Sequence, residues 1–166
     1  WLPTEDTLTD DEVVRVVKVA VERLVVTRIR FTGGEPLLRP HLEQIIAGAA
    51  ELRGAKGRPE LALTTNGLGL DKRIARLAAA GLDRVNISLD SLDPVRYAQL
   101  ARRDRLHDVL ASIRAVDEAG LRPVKINTVI MRGVNEVDIV PLAAFCLERG
   151  YELRFIEQMP LGPTGE

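Results

Sequence analysis

Strand-like and helix-like segments alternate five times along this chain with short connections, and that alternation narrows the available folds more than any other feature. Repeated βα units of this kind build a parallel sheet, either open or curved into a barrel. A capping box, Thr9-Asp-Asp-Glu12, opens the first helix, where Val13, Val14, Val17, Ala20, Val21 and Leu24 recur at helical spacing. A strand is expected over Arg28–Thr32. Pro40 opens a helix to Leu52, with Leu42, Ile45, Ile46 and Ala49 on one face. Gly54 to Pro59 reads as a mobile basic loop. The strand Glu60–Thr65 precedes a helix Asp71–Ala80 closed by Gly81. The strand Arg84–Leu89 leads to Asp93-Pro94, which caps a short helix, and then to a helix Leu106–Ala119. The strand Val124–Ile130 precedes a helix capped by Asn135 and ending at Arg149, and Tyr151–Glu157 is the fifth strand. No low-complexity stretch or linker divides residues 1–166, so one domain is expected.

Alternate residues of a strand share a face. Ala62, Thr64 and Asn66 oppose Leu61, Leu63 and Thr65; Asn86, Ser88 and Asp90 oppose Val85, Ile87 and Leu89. Lys125 and Asn127 oppose Val124 and Ile126, and Arg28, Arg30 and Thr32 oppose Ile29 and Phe31. Helices pack on the apolar faces. In an open α/β sheet the second face is buried too, and its strands read as continuous apolar runs. Four polar faces in succession imply a wet lumen, as in a curved, incompletely closed barrel with ligands near the C-terminal strand ends. The fifth strand is ambiguous by parity.

Thr32-Gly-Gly-Glu-Pro36, at the end of the first strand, is the strongest local signal. Two glycines leave the backbone bare to a ligand, and Glu35 follows with Pro36 stiffening the exit. Such a loop suits a ligand with an ammonium group; it equally suits a tight strand-to-helix turn. Other candidates gather at the strand ends: Arg30, Thr64, Asn66, Ser88, Asp90, Lys125, Asn127, Glu157 and Met159. Arg30 and Lys125 are cations inside a sheet, which is costly unless they are paired. Either Asp90 or Glu157 neutralises them, or an anionic ligand such as a phosphate does. Thr64 and Ser88 read equally as hydroxyls bonded to a neighbouring strand, and Met159 as core filler. His41 and His107 show no metal-ligand spacing, and neither G-x-x-x-x-G-K-[ST] nor G-x-G-x-x-G occurs. The net charge of -1 gives no bias toward nucleic acid or an anionic membrane, and no apolar run is long enough to span one. The single cysteine, Cys146, excludes an internal disulfide and reads as a buried core thiol.

Phe31-Thr-Gly-Gly-Glu-Pro-Leu-Leu-Arg39, Thr64-Thr-Asn-Gly-Leu68 and Asn86-Ile-Ser-Leu-Asp-Ser-Leu92 resemble the radical S-adenosylmethionine enzymes. Lys125-Ile-Asn-Thr-Val-Ile-Met-Arg-Gly-Val-Asn135 and Arg154-Phe-Ile-Glu-Gln-Met-Pro-Leu-Gly162 narrow the likeness to the GTP 3′,8-cyclase family of molybdenum cofactor biosynthesis. The resemblance implies a partial (βα)6 TIM-like barrel of parallel strands, here lacking its first βα unit and its C-terminal part. It implies that Gly34, Glu35, Ser88 and Met159 meet S-adenosylmethionine and that Arg30, Thr64 and Lys125 hold GTP. The implied reaction is a radical rearrangement. A reduced iron–sulfur cluster cleaves S-adenosylmethionine, and the resulting radical abstracts a ribose hydrogen from GTP. The family carries two [4Fe-4S] clusters, whose cysteines are expected before Trp1 and after Glu166. No residue here is then a metal ligand or is assigned a catalytic role, and the segment alone is expected to be inactive. A cytoplasmic location follows from the resemblance, with a homodimer left open. Two alternatives stay open: a radical S-adenosylmethionine enzyme with another substrate, and a cluster-less nucleotide-binding barrel.

Overall fold

The computed structural model describes residues 7–158. Helix α1 (Asp10–Arg23) begins at the expected capping box: Glu12 N–H donates to Thr9 Oγ1, and the Glu12 carboxylate accepts from Thr9 N–H. Strands β1 (Arg28–Phe31), β2 (Glu60–Thr65), β3 (Arg84–Ser88), β4 (Lys125–Ile130) and β5 (Glu152–Glu157) follow in chain order. Helices α2 (Leu42–Ala50), α3 (Ile74–Ala79), α4 (Pro94–Ala101), α5 (Leu106–Glu118) and α6 (Ile139–Arg149) lie between them. All pairings are parallel, in the spatial order β1-β2-β3-β4-β5. Sequential order with helical crossovers is the topology of a partial TIM-like barrel.

The helix-facing side carries the core. Leu61, Leu63, Val85, Ile87 and Ile126 are fully buried there, with Ile46, Leu77, Val109, Ile113 and Leu142 supplied by the helices. Phe31 packs at the margin of the same cluster. The four apolar faces therefore point toward the helices, as the alternation predicts.

Element boundaries depart from expectation where local chemistry intervenes. The helix expected from Pro40 starts at Leu42, after a separate 3-10 turn over Pro36–Leu38. Proline forces Arg39 out of the helical region, to φ −76° and ψ 119°, which splits the segment. The helix expected from Asp71 starts at Ile74. Asn135 does not cap a helix: a 3-10 turn over Glu136–Asp138 intervenes, and α6 starts at Ile139. Its buried amide accepts from Met131 N–H and donates to the Asp90 and Val129 carbonyls, a better use for it than a capping bond in solvent. The basic Gly54–Pro59 loop is tied down by reciprocal Gly54–Gly57 hydrogen bonds and by Arg58 on Asp83. Gly81 ends the turn after α3 at φ +101°, where a Cβ would lie 2.6 Å from that of Ala50.

Candidate functional site

Register stacks the inward residues in rows, because partners in a parallel pair share a face. Arg28 lies beside Glu60, and Arg30 beside Ala62 and Arg84. The next row runs Thr64, Asn86, Lys125, Glu152, and the one above it Ser88, Asn127, Arg154. A cleft of about 510 Å³ opens on this face, lined by Arg28, Arg30, Ala62, Arg84, Asn86, Lys125 and Arg154, with Ile29 and Glu60 at its margin.

The cleft is strongly cationic. Glu60 answers Arg84; Glu152 answers Lys125 and Arg154, each of these two at 2.6 Å. Neither Arg28 nor Arg30 has an ion pair among the described residues, which leaves net positive charge facing inward. Lys125 is only 6% exposed. Its partner is neither Asp90 nor Glu157, as the sequence suggested, but Glu152, directly opposite in register. Hydrogen bonds from Lys125 and then Arg154 hold the Glu152 carboxyl below its ordinary range. Asn86 Nδ2 donates to Thr64 Oγ1 at 3.2 Å, joining Thr64 to the same row.

A second groove, of about 380 Å³, lies at the C-terminal rim between Gly34, Glu35, Leu37, Leu38, Asn66, Leu68 and Arg103. Gly33 takes φ +140°, a backbone state that side chains resist. The Glu35 carboxylate is occupied: it accepts from Leu37 N–H at 3.0 Å, Thr65 Oγ1–H at 2.6 Å and Asn66 N–H at 2.8 Å. It clamps the loop to the end of β2, and the bare Gly33–Gly34 backbone is what the loop leaves open to a ligand. Asn127 Oδ1 is buried with no hydrogen-bond donor among the described residues, beside Ser88 in register. Such an orphan costs free energy unless something else supplies a donor. Burial pushes the Asp90 carboxyl up, against a bond from Val129 N–H.

Arg30 and Lys125 thus share one cleft with Thr64 beside it, Ser88 lies a row higher, and Gly34 and Glu35 form the rim. Met159 lies outside the described residues. Glu157 falls on the helix-facing parity of β5 and is exposed, away from the cleft. Sequence reasoning missed Arg84, Arg154 and Glu152. Arg84 shares parity with Asn86 and was legible; the other two needed the β4–β5 register, which β5 alone leaves ambiguous.

A profile of the Radical SAM superfamily matches residues 1–146. The chain is 67% identical over 98% of its length to a protein named GTP 3′,8-cyclase from Corynebacterium glutamicum, covering 44% of that relative. It is 56% identical over 97% of its length to GTP 3′,8-cyclase 2 from Mycobacterium tuberculosis, again covering 44%. The chain therefore spans less than half the length of these curated relatives. Among solved structures it resembles a radical SAM methyltransferase from Sphaerobacter thermophilus (TM-score 0.67, 26% identity, 94% of this chain and 50% of that one). In fold alone it also resembles HydG, a maturase of the [FeFe]-hydrogenase (TM-score 0.68, 17% identity, 96% of this chain and 38% of that one).

Proposed function

The chain belongs to the Radical SAM superfamily, and from that premise we propose that it is the nucleotide-holding barrel segment of a GTP 3′,8-cyclase. The cleft carries the proposal: a buried lysine and four arginines face inward, two of the arginines lacking a carboxylate partner among the described residues. A triphosphate suits such a cluster, since charge-assisted bonds to phosphate are strong and guanidinium forks match its oxygens. The 67% identity to a protein of that name supports the choice of GTP.

In this reading Arg30 and Lys125 take phosphate oxygens, and Thr64 offers its hydroxyl beside them. S-adenosylmethionine lies toward the C-terminal strand ends. The residues there fit it: the Gly34 backbone borders an open groove for the ammonium end, and the orphaned Asn127 Oδ1 beside Ser88 awaits a hydroxyl donor. Glu35 shapes the loop by its clamp, and Met159 belongs to the same site. When bound, S-adenosylmethionine supplies the radical chemistry, abstraction of a ribose hydrogen from GTP, in the first step toward the molybdenum cofactor. This chain's residues bind and orient the two molecules and screen them from water.

Iron–sulfur clusters do not fit the residues here. Cys146 is the single thiol, buried in α6, with burial pushing it up to about 11, and no group of three candidate metal ligands occurs among the described residues. The reading therefore places the cluster ligands elsewhere in a longer parent, together with the remaining βα unit of a (βα)6 barrel. Among the described residues no helix is long and apolar enough to cross a membrane. A cytoplasmic enzyme with residues 1–166 as one domain completes the proposal, and its self-association is an open arm for light scattering.

Calorimetric titration of both ligands into the full encoded, cluster-loaded chain tests it. Each phosphate contact is worth roughly 1.5–3 kcal/mol, so Lys125→Ala should weaken GTP by about 10- to 150-fold. S-adenosylmethionine affinity should change little. Equal losses for both ligands, with a lowered melting temperature, would make Lys125 a structural cation and remove GTP's main support.

A further inference from the structure

Glu152, the first residue of β5, has both carboxylate oxygens engaged by cations of the cleft. One accepts from Lys125 Nζ at 2.6 Å; the other accepts from Arg154 Nε at 2.8 Å and Nη2 at 2.6 Å. The two partners differ in freedom. The Lys125 side chain is 7% exposed and fixed by the sheet around it, while that of Glu152 is 38% exposed on an edge strand, with solvent to swing into. Phosphate oxygens entering the cleft compete with Glu152 for the ammonium of Lys125 and for the Nε–Nη2 edge of Arg154. A planar guanidinium cannot serve two anions with one edge.

We propose that Glu152 is a built-in counter-anion: it neutralises Lys125 and Arg154 in the free chain, and an incoming ligand must displace it, so it sets which anions are admitted. The proposal rests on the triphosphate reading given above. A single phosphate offers little to offset the lost carboxylate bonds. A triphosphate also reaches Arg28 and Arg30, which have no carboxylate partner among the described residues, and gains there what it gives up at Glu152. Glu152 is thus a specificity-determining residue that favours long polyphosphates over short ones. It is not a catalytic residue.

Inorganic tripolyphosphate and orthophosphate, titrated calorimetrically into the full encoded chain, test this. Glu152→Gln should bind tripolyphosphate about 10-fold more tightly, the worth of one charge-assisted contact. Orthophosphate should gain more than tripolyphosphate, so the preference for the longer anion narrows. The unliganded variant should melt lower, because Lys125 is left buried without its anion, and tripolyphosphate should restore it. A residue that merely held the cations in place would lower stability and weaken binding together. The gain should vanish when Lys125→Met is added, since the effect acts through that cation. Glu152→Asp, which keeps the charge and shortens its reach, should shift affinity in the same direction by less, and it serves if the Gln variant folds poorly. Wild-type binding with equal or weaker affinity in Glu152→Gln overturns the role of Glu152 and leaves the triphosphate reading standing. If neither the wild type nor the variant binds tripolyphosphate, both fall.

Discussion

Arg73 serves more partners than any ligand-facing arginine. Its guanidinium donates to the carbonyls of Leu37 (2.6 Å), Arg39 (3.2 Å) and Pro40 (3.4 Å) and pairs with Glu43 through its Nε–Nη2 edge. At 15% side-chain exposure it is the post that fixes the 3-10 turn behind the Gly33–Gly34 loop to α2 and α3. Arg73→Met should cost about 2–4 kcal/mol, from two part-buried carbonyls, those of Leu37 and Arg39, left without this donor and a broken ion pair. The Arg73 hydrogen bond lowers the Glu43 carboxyl from 4.5 to about 2. A depressed carboxylate contributes stability that is complete above its unfolded value and lost as pH falls toward the folded one. The melting-temperature gap between wild type and Arg73→Met should therefore be widest above pH 4.5 and narrow toward pH 2. A gap that stays constant over that window would show that the carbonyl bonds, not the ion pair, account for it. Nothing in Asp71-Lys-Arg73 announces this role, because a charged run of that kind usually faces solvent.

The loop after β1 and the end of β2 behave as one unit through Glu35. Thr65→Val keeps the shape and removes the 2.6 Å bond to the carboxylate. It should cost about 1–2 kcal/mol and speed amide exchange at Leu37 and Asn66, the two other donors to Glu35. Unchanged exchange at both would mean that the loop holds its form without the clamp. The loop itself was legible, since two glycines, an acid and a proline after a β-rich run mark a special backbone. The task of the acid was not, because two of its three partners, Thr65 and Asn66, lie thirty and more residues away and no local pattern links them. Asn135 failed for the same reason: locally it resembles a cap, while its acceptors belong to β4 and the turn after β3. The faces of β1 to β4 were readable because each alternates cleanly, and β5 was not because charged and apolar residues fall on both of its parities.

The strand–helix alternation fixed the class of the whole molecule, and the sheet runs in chain order as βα repetition requires. What the sequence could not supply is the sideways offset between strands that brings Lys125 against Glu152. Anaerobic iron–sulfide reconstitution of residues 1–166 should yield no thiolate-to-iron absorption above a Cys146→Ser control, because one thiol cannot hold a cluster and this one is buried with its ionisation pushed up to about 11. A stoichiometric four-iron cluster would overturn that. The same seclusion makes the molecule easy to label. A thiol that stays protonated and enclosed does not meet a maleimide at neutral pH, so a cysteine introduced on the inner face, for example by Ala62→Cys, would be the sole reactive handle within residues 1–166. A fluorophore or nitroxide placed there would report occupancy of the lumen without Cys146 having to be removed first.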